Sequence, residues 1–175
     1  MALISLVTPE TATGKTGEIY QNILRMLGTV PDAMQLFGHN PILMEYMNTR
    51  FGFYHGQQQE LSADLMRWIL FLNAKRKQCT FCIHYNQAQL LASGVSEQSM
   101  AAAIADPRTA PLPDREKAML VFALNTTGDD KSISPDDIEA LRRHGYSDTA
   151  IFNVVEFTAF ATFSDTLLNV FQVDN

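Results

Sequence analysis

Two cysteines, Cys79 and Cys82, stand two residues apart in the segment Cys79-Thr80-Phe81-Cys82, and the chain contains no others. This spacing lets two sulfurs approach bonding distance when the pair occupies the first turn of a helix. A pair so placed can cycle between dithiol and disulfide, and a thiolate at a helix N-terminus is a nucleophile of lowered pKa. With no further cysteine, the pair cannot belong to a disulfide framework. Zinc is the competing chemistry for a CxxC. It needs four ligands, and the pair supplies two. His84 lies too near in sequence to join easily, and His55 would have to fold back, so no metal is expected and the cofactor reduces to a redox-active Cys79–Cys82 disulfide.

The elements that must position these sulfurs read as helices. Ser62 is an N-cap, and Leu65, Trp68, Ile69 and Leu72 share one face of a helix that runs to about Lys77. Thr80 to Ser93 forms the next helix, closed by Gly94 in the left-handed capping role. Upstream, Gly14 to Gly28 carries Ile19, Ile23, Leu24, Met26 and Leu27 near one face. Val30-Pro31 breaks that helix, and Asn40-Pro41 caps and starts another. Gly52, Gly56 and Gln57–Gln59 mark a loose region or a frayed helix end. Downstream, Ser96 caps a short alanine-rich helix that stops at Asp106-Pro107, and Arg108 to Pro113 is a loop. A helix runs from Asp114 to about Asn125, and Thr126 to Lys131 is a polar loop. Ser134-Pro135-Asp136-Asp137 starts a helix ending at His144-Gly145, with its acids set against the helix dipole. Ser147 caps a final helix over about Asp148 to Val170. No convincing period-2 pattern occurs. The expected fold is all-α, a single-domain helical bundle over 1–175 with an N-terminal helical arm (1–58) and a core that carries the CxxC (59–175).

The chain has 175 residues, of which 46% are hydrophobic, enough for one domain with a sizeable core. Its net charge of −6 and the lack of a Lys/Arg stripe argue against nucleic acid and against an anionic membrane surface. No uninterrupted apolar run reaches the ~18 residues of a membrane span, and the first residues lack the pattern of a signal peptide. The expected location is cytoplasmic, where a CxxC is mostly reduced. The last helix is apolar on most sides, from Ile151 through Phe157 and Phe163 to Leu168, which points to a homo-oligomer.

Gly17-Glu18-Ile19-Tyr20, Leu27-Gly28-Thr29-Val30-Pro31 and His39-Asn40-Pro41, followed by the CxxC helix closed by Gly94 and then by Asp114-Arg115-Glu116-Lys117-Ala118, occur in an order and spacing that resembles one family. It is the peroxidase-related branch of the carboxymuconolactone decarboxylase and AhpD-type alkylhydroperoxidase superfamily. The resemblance covers about residues 8 to 170. It implies an all-α fold, assembly as dimers, trimers or hexamers, and thiol-dependent reduction of a hydroperoxide or disulfide, with an external dithiol as reductant. It also implies that Cys82 attacks and Cys79 resolves. AhpD-type enzymes add a glutamate twelve residues before the first cysteine and a histidine four residues after the second. Those positions hold Arg67 and Asn86 here, so the redox pair stands without its proton relay and turnover is expected to be weak.

Arg67 is then either a cation that favours a thiolate on Cys82 or a surface arginine paired with Asp64. Asn86 can donate to sulfur or peroxide oxygen but cannot relay a proton. Tyr85 and His84 are accessory candidates on the CxxC helix, with His84 pointing elsewhere, and His55 is one if the fold brings the Gly52–Gln59 segment to the pair, which the sequence alone does not place. Glu45 and Glu60 are possible replacement acids. Glu156, among apolar residues, would have a raised pKa or a partner. Met26, Met34, Met44, Met47 and Met66 read as core. Two other readings of the chain are a non-catalytic helical oligomer or redox sensor that kept the fold, and a small lactone-acid decarboxylase, which would not need a CxxC.

Overall fold

A computed structural model describes residues 2–55, 60–128 and 133–173, with backbone alone at 51, 52 and 55. The described residues form nine α-helices and one 3₁₀ turn and no strand. The helices are α1 (Gly14–Leu27), α2 (Asp32–Phe37), α3 (Pro41–His55), α4 (Ala63–Lys77), α5 (Thr80–Ala92), α6 (Glu97–Ala105), α7 (Asp114–Thr126), α8 (Pro135–Arg143) and α9 (Asp148–Val170). The all-α expectation holds. The chain divides into two compact units, Met1–Gln58 with Leu168–Asn175, and Gln59–Leu167.

In the first unit, α3 packs against α1 and α2. Asn40 caps α3 through its Oδ1, which accepts from the amides of Ile42 (3.1 Å) and Leu43 (3.0 Å). The chain passes through Gly52 as helix and ends α3 at His55, so no loose segment starts at Gly52. Residues 56–59 lie outside the described residues. Helix α2 is missing from the sequence reading because six residues are too few to show a period. Tyr20 locks this unit together: its buried hydroxyl faces the carbonyls of Met34 (2.9 Å) and Val7 (3.0 Å). Burial pushes its phenol up to about 12. Gly38 lies directly against that hydroxyl. Met26, expected in the core, is instead 68% exposed, because the buried face of α1 runs through Thr16, Ile19 and Tyr20.

In the second unit α4 is central. Leu65, Met66, Trp68, Ile69, Phe71, Leu72, Asn73 and Ala74 are all buried, more than the one face that the spacing predicts. α4 packs on α5, α6 and α7. Ser62 caps it by accepting from the Leu65 amide at 3.0 Å. The 3₁₀ turn Pro107–Thr109 occupies part of the expected loop, held by Asp106 accepting from the Arg108 amide. Ser134 and Asp137 form the reciprocal capping box that starts α8. Residues 129–132 of the expected polar loop lie outside the described residues.

α9 buries one face: Ala150, Ile151, Val154, Thr158, Ala161, Asp165 and Leu168 recur at helical spacing. Phe152 and Phe163 point outward, 69% and 42% exposed. By length and composition alone this helix of 23 residues could cross a membrane, which the sequence reading did not anticipate. Two of its polar residues are engaged within the second unit. Thr162 and Asp165 both bond to Asn73 of α4.

The Gly38 contact gives a direct test of the first unit. A Cβ at that position would overlap the Tyr20 hydroxyl and come within 3.1 Å of Val7 Cβ and 3.2 Å of the Gln35 carbonyl oxygen. Gly38→Ala is expected to destabilise the chain by about 1–3 kcal/mol in urea unfolding, the usual cost of overpacking.

Candidate functional site

The cysteines sit where α4 hands over to α5. α4 ends at Lys77, and Gln78 takes a left-handed backbone (φ +55°) that turns the chain at once. Its amide is bonded back to the last turn of α4, as is that of Cys79, which donates to the Ala74 carbonyl at 3.1 Å. Cys79 is thereby fixed as the N-cap of α5. Its Sγ accepts from the Cys82 amide at 3.4 Å, the role an oxygen fills at most helix starts. Both cysteines carry free thiols. Cys79 is fully buried and Cys82 is half-buried, so Cys82 is the more exposed of the two.

A third group, absent from the sequence reading, joins them. Asp165 of α9 is buried, and its carboxylate oxygen and the two sulfurs all lie within 4.8 Å of one another. Asn73, wholly buried on α4, donates through Nδ2 to Asp165 Oδ2 at 2.8 Å. Asn73 Oδ1 in turn accepts from the hydroxyls of Thr127 (3.0 Å) and Thr162 (3.3 Å). Lys77 Nζ donates to the Thr127 carbonyl at 3.0 Å, and Arg76 Nη1 to that of Leu124 at 2.7 Å, fixing the end of α7 beside this network. Glu156 was singled out by its apolar neighbours Val155 and Phe157, whereas Asp165 stands between Ser164 and Thr166 and carries no such signal.

The electrostatics are set by these contacts. Hydrogen bonding from the Cys82 thiol, and then from the Cys82 amide, holds the Cys79 thiol below its ordinary value against the opposing effect of burial. Cys82 is pushed up, first because its proton is held on Cys79, then by burial and by the Asp165 charge. The first free amide of α5, that of Cys82, is thus spent on the Cys79 sulfur. Burial raises Asp165 above the usual carboxylate range, partly offset by hydrogen bonds from Cys82, Asn73 and Cys79 and by the charge of Lys77.

The predicted accessory residues fare differently. Arg67 donates to Asp64 at 2.7 Å on an exposed face of α4, while the charge acting directly on both sulfurs is that of Asp165. Asn86 is buried, with its Nδ2 donating to the backbone carbonyl of Cys82 at 2.7 Å. Tyr85 is 45% exposed and stacks on Phe81, with centroids 6.1 Å apart. His84 is exposed on α5, and the His55 side chain lies outside the described residues. Glu60 accepts from the amide and hydroxyl of Ser147 at the start of α9, and those bonds hold its carboxyl low. Glu45 pairs with Lys15 at 3.5 Å, and Glu156 is half-buried. As donors for a cation, Cys79, Cys82 and Asp165 are one short of a closed tetrahedral zinc set. Asn73 Oδ1 is already occupied by two hydroxyls.

Solved structures with the same arrangement of helices identify the fold. A peroxidase-related protein from Ralstonia eutropha JMP134, described as an alkylhydroperoxidase AhpD core, superposes with a TM-score of 0.83 at 20% identity, over 98% of this chain and 90% of its own. A peroxidase-related protein from Silicibacter sp. TM1040 superposes with 0.82 at 20% identity, over 98% and 90%. The debrominase Bmp8, in a cysteine-to-alanine form in complex with 2,3,4-tribromopyrrole, superposes with 0.73 at 16% identity, over 99% and 92%. No protein-family model matches the sequence, and no curated protein is significantly similar to it. The chain has the all-α AhpD-like fold of the peroxidase-related proteins.

The buried carboxyl gives a pH test. The folded chain holds the Asp165 proton more tightly than the unfolded chain does. Stability from this group is therefore fully present below the ordinary aspartate range and is lost as pH rises from about 4 through the raised value. Asp165→Asn is expected to lack that loss. Relative to wild type, its denaturant midpoint gains as pH rises from 4 to 8. Parallel profiles for the two proteins would place the charged carboxylate at no cost in the fold.

Proposed function

We propose that this chain is a thiol-dependent oxidoreductase that reduces a hydroperoxide or a disulfide with the Cys79/Cys82 pair. The single observation that carries the reading is the placement of two free thiols at the start of α5, the buried one accepting the amide of the accessible one at 3.4 Å. That the peroxidase-related proteins share the fold supports it.

With a hydroperoxide, a lone pair of the Cys82 thiolate forms an S–O bond. The O–O bond breaks, and the alkoxide leaves with its electrons and takes up a proton as alcohol. Cys79 then attacks the Cys82 sulfenic acid. An S–S bond forms, the S–O bond breaks, and hydroxide leaves as water. Two thiols are oxidised to one disulfide, and the peroxide is reduced to alcohol and water. An external dithiol returns the pair to the reduced state by exchange. With a disulfide substrate, Cys82 forms the mixed disulfide and Cys79 releases it. The gathering of two thiols around a buried carboxyl favours this over a helical oligomer that merely kept the fold. The lactone-acid decarboxylase reading has no use for the pair. The exposed Phe152 and Phe163 on α9 fit a homo-oligomer as the working form.

The reduced wild-type chain, given one equivalent of an organic hydroperoxide, is expected to lose both free thiols and gain an intramolecular disulfide that dithiothreitol reverses. Cys82→Ser is expected to abolish thiol-dependent peroxide consumption. Cys79→Ser should stop at a sulfenic acid on Cys82, trapped by dimedone and seen by mass. An unchanged consumption rate in Cys82→Ser would sink the reading.

A further inference from the structure

The thiol mechanism leaves two protons without a carrier, because the positions of the AhpD-type glutamate and histidine hold Arg67 and Asn86. Arg67 is bonded to Asp64 and its guanidinium offers no lone pair to accept a proton, and Asn86 has no proton to exchange. We propose that Asp165 is the catalytic acid–base of this site, taking the proton of each thiol in turn and returning it to the departing oxygen. The inference rests on the thiol reading and supplies what that reading lacks.

The geometry is a cluster built by three helices. α5 brings both sulfurs, α9 brings the carboxylate, and their reacting atoms lie within 4.8 Å of one another. α4 holds the carboxylate in place through Asn73, whose own carbonyl is fixed by two hydroxyls. One carboxylate oxygen is bonded to Asn73, and the carboxylate reaches both sulfurs. The ionisable groups acting on Asp165 are the two thiols on α5 and Lys77 on α4. Its burial raises its proton affinity toward that of a thiol, which is the match a proton carrier needs.

The balance closes with one carboxylate. The Cys82 thiol gives its proton to Asp165, the thiolate attacks the peroxide oxygen, and the alkoxide leaving with the O–O electron pair takes the proton from Asp165. The Cys79 thiol then gives its proton to the same carboxylate. Its sulfur attacks the Cys82 sulfenic acid, and the departing hydroxide takes that proton to become water. Asp165 ends as it began, and the dithiol has become a disulfide.

The test is the single-turnover rate of disulfide formation in the full reduced chain with tert-butyl hydroperoxide, followed from pH 5 to 9. In wild type the rate is expected to rise once with Asp165 ionisation and then flatten well below the thiol range. Asp165→Asn keeps an oxygen that can accept from Asn73. It is expected to react ~10²-fold more slowly at pH 7, with a rate climbing about tenfold per pH unit toward wild type as hydroxide does the work. Equal rates and profiles in the two proteins would overturn the role of Asp165 and leave the thiol reading standing. No disulfide in either protein would overturn the thiol reading itself. If Asp165→Asn does not fold, the wild-type profile decides alone: a rate that tracks thiol ionisation up to pH 9, with no earlier plateau, overturns the proposal.

Discussion

The hydrogen bond from Asn73 to Asp165 is the constraint on which the site depends. A carboxyl group almost without solvent contact is costly unless its partners are supplied by the protein. Here the partner is itself buried and fully engaged, because the Asn73 carbonyl is held by Thr127 and Thr162. The bond joins residues ninety-two positions apart and ties α9 to α4 under the CxxC turn. Remove it, and the carboxylate loses both its position and the donor that makes its burial tolerable. A network this enclosed is sensitive to each member, since every broken bond leaves a polar atom stranded in a low-dielectric interior.

The second determinant is the abrupt junction between α4 and α5. A left-handed Gln78 costs backbone energy that a glycine would not, and it persists because the amides of Gln78 and Cys79 are both bonded back to α4. The outcome is a sulfur at a helix N-cap. An N-cap sulfur meets the amide of Cys82 and is shielded from solvent, while Cys82, one turn further on, remains partly open. The two thiols therefore differ in burial and in hydrogen bonding. Such a split suits a two-step exchange in which one sulfur meets the substrate and the other waits behind it.

Acidic residues that look alike in the sequence divide between two kinds of work in the fold. The carboxylates of Glu60 and Asp137 serve as caps at helix starts, close to solvent, and hydrogen bonds hold both below the ordinary range. Asp165 is shifted the other way by burial. Direction of shift separates these capping acids from the one placed against the two sulfurs.

The sequence by itself determined most of the helices and the cysteine pair. Caps at Asn40, Ser62, Ser96 and Ser134, the stop at Gly94 and the 3.6-residue periods are local signals, and the helices they mark form where expected. The CxxC spacing is local too, and it placed Cys79 and Cys82 at a helix start. What depended on distant partners was decided only by the tertiary structure. Arg67 at the expected position says nothing of its bond to Asp64, nor Asn86 of the bond its amide makes to the Cys82 carbonyl. Asp165 lies eighty-three residues beyond Cys82. Only the packing of α9 against α4 and α5 brings its carboxylate to the sulfurs, because a side chain's partners across a core are set by how helices pack and not by their order along the chain.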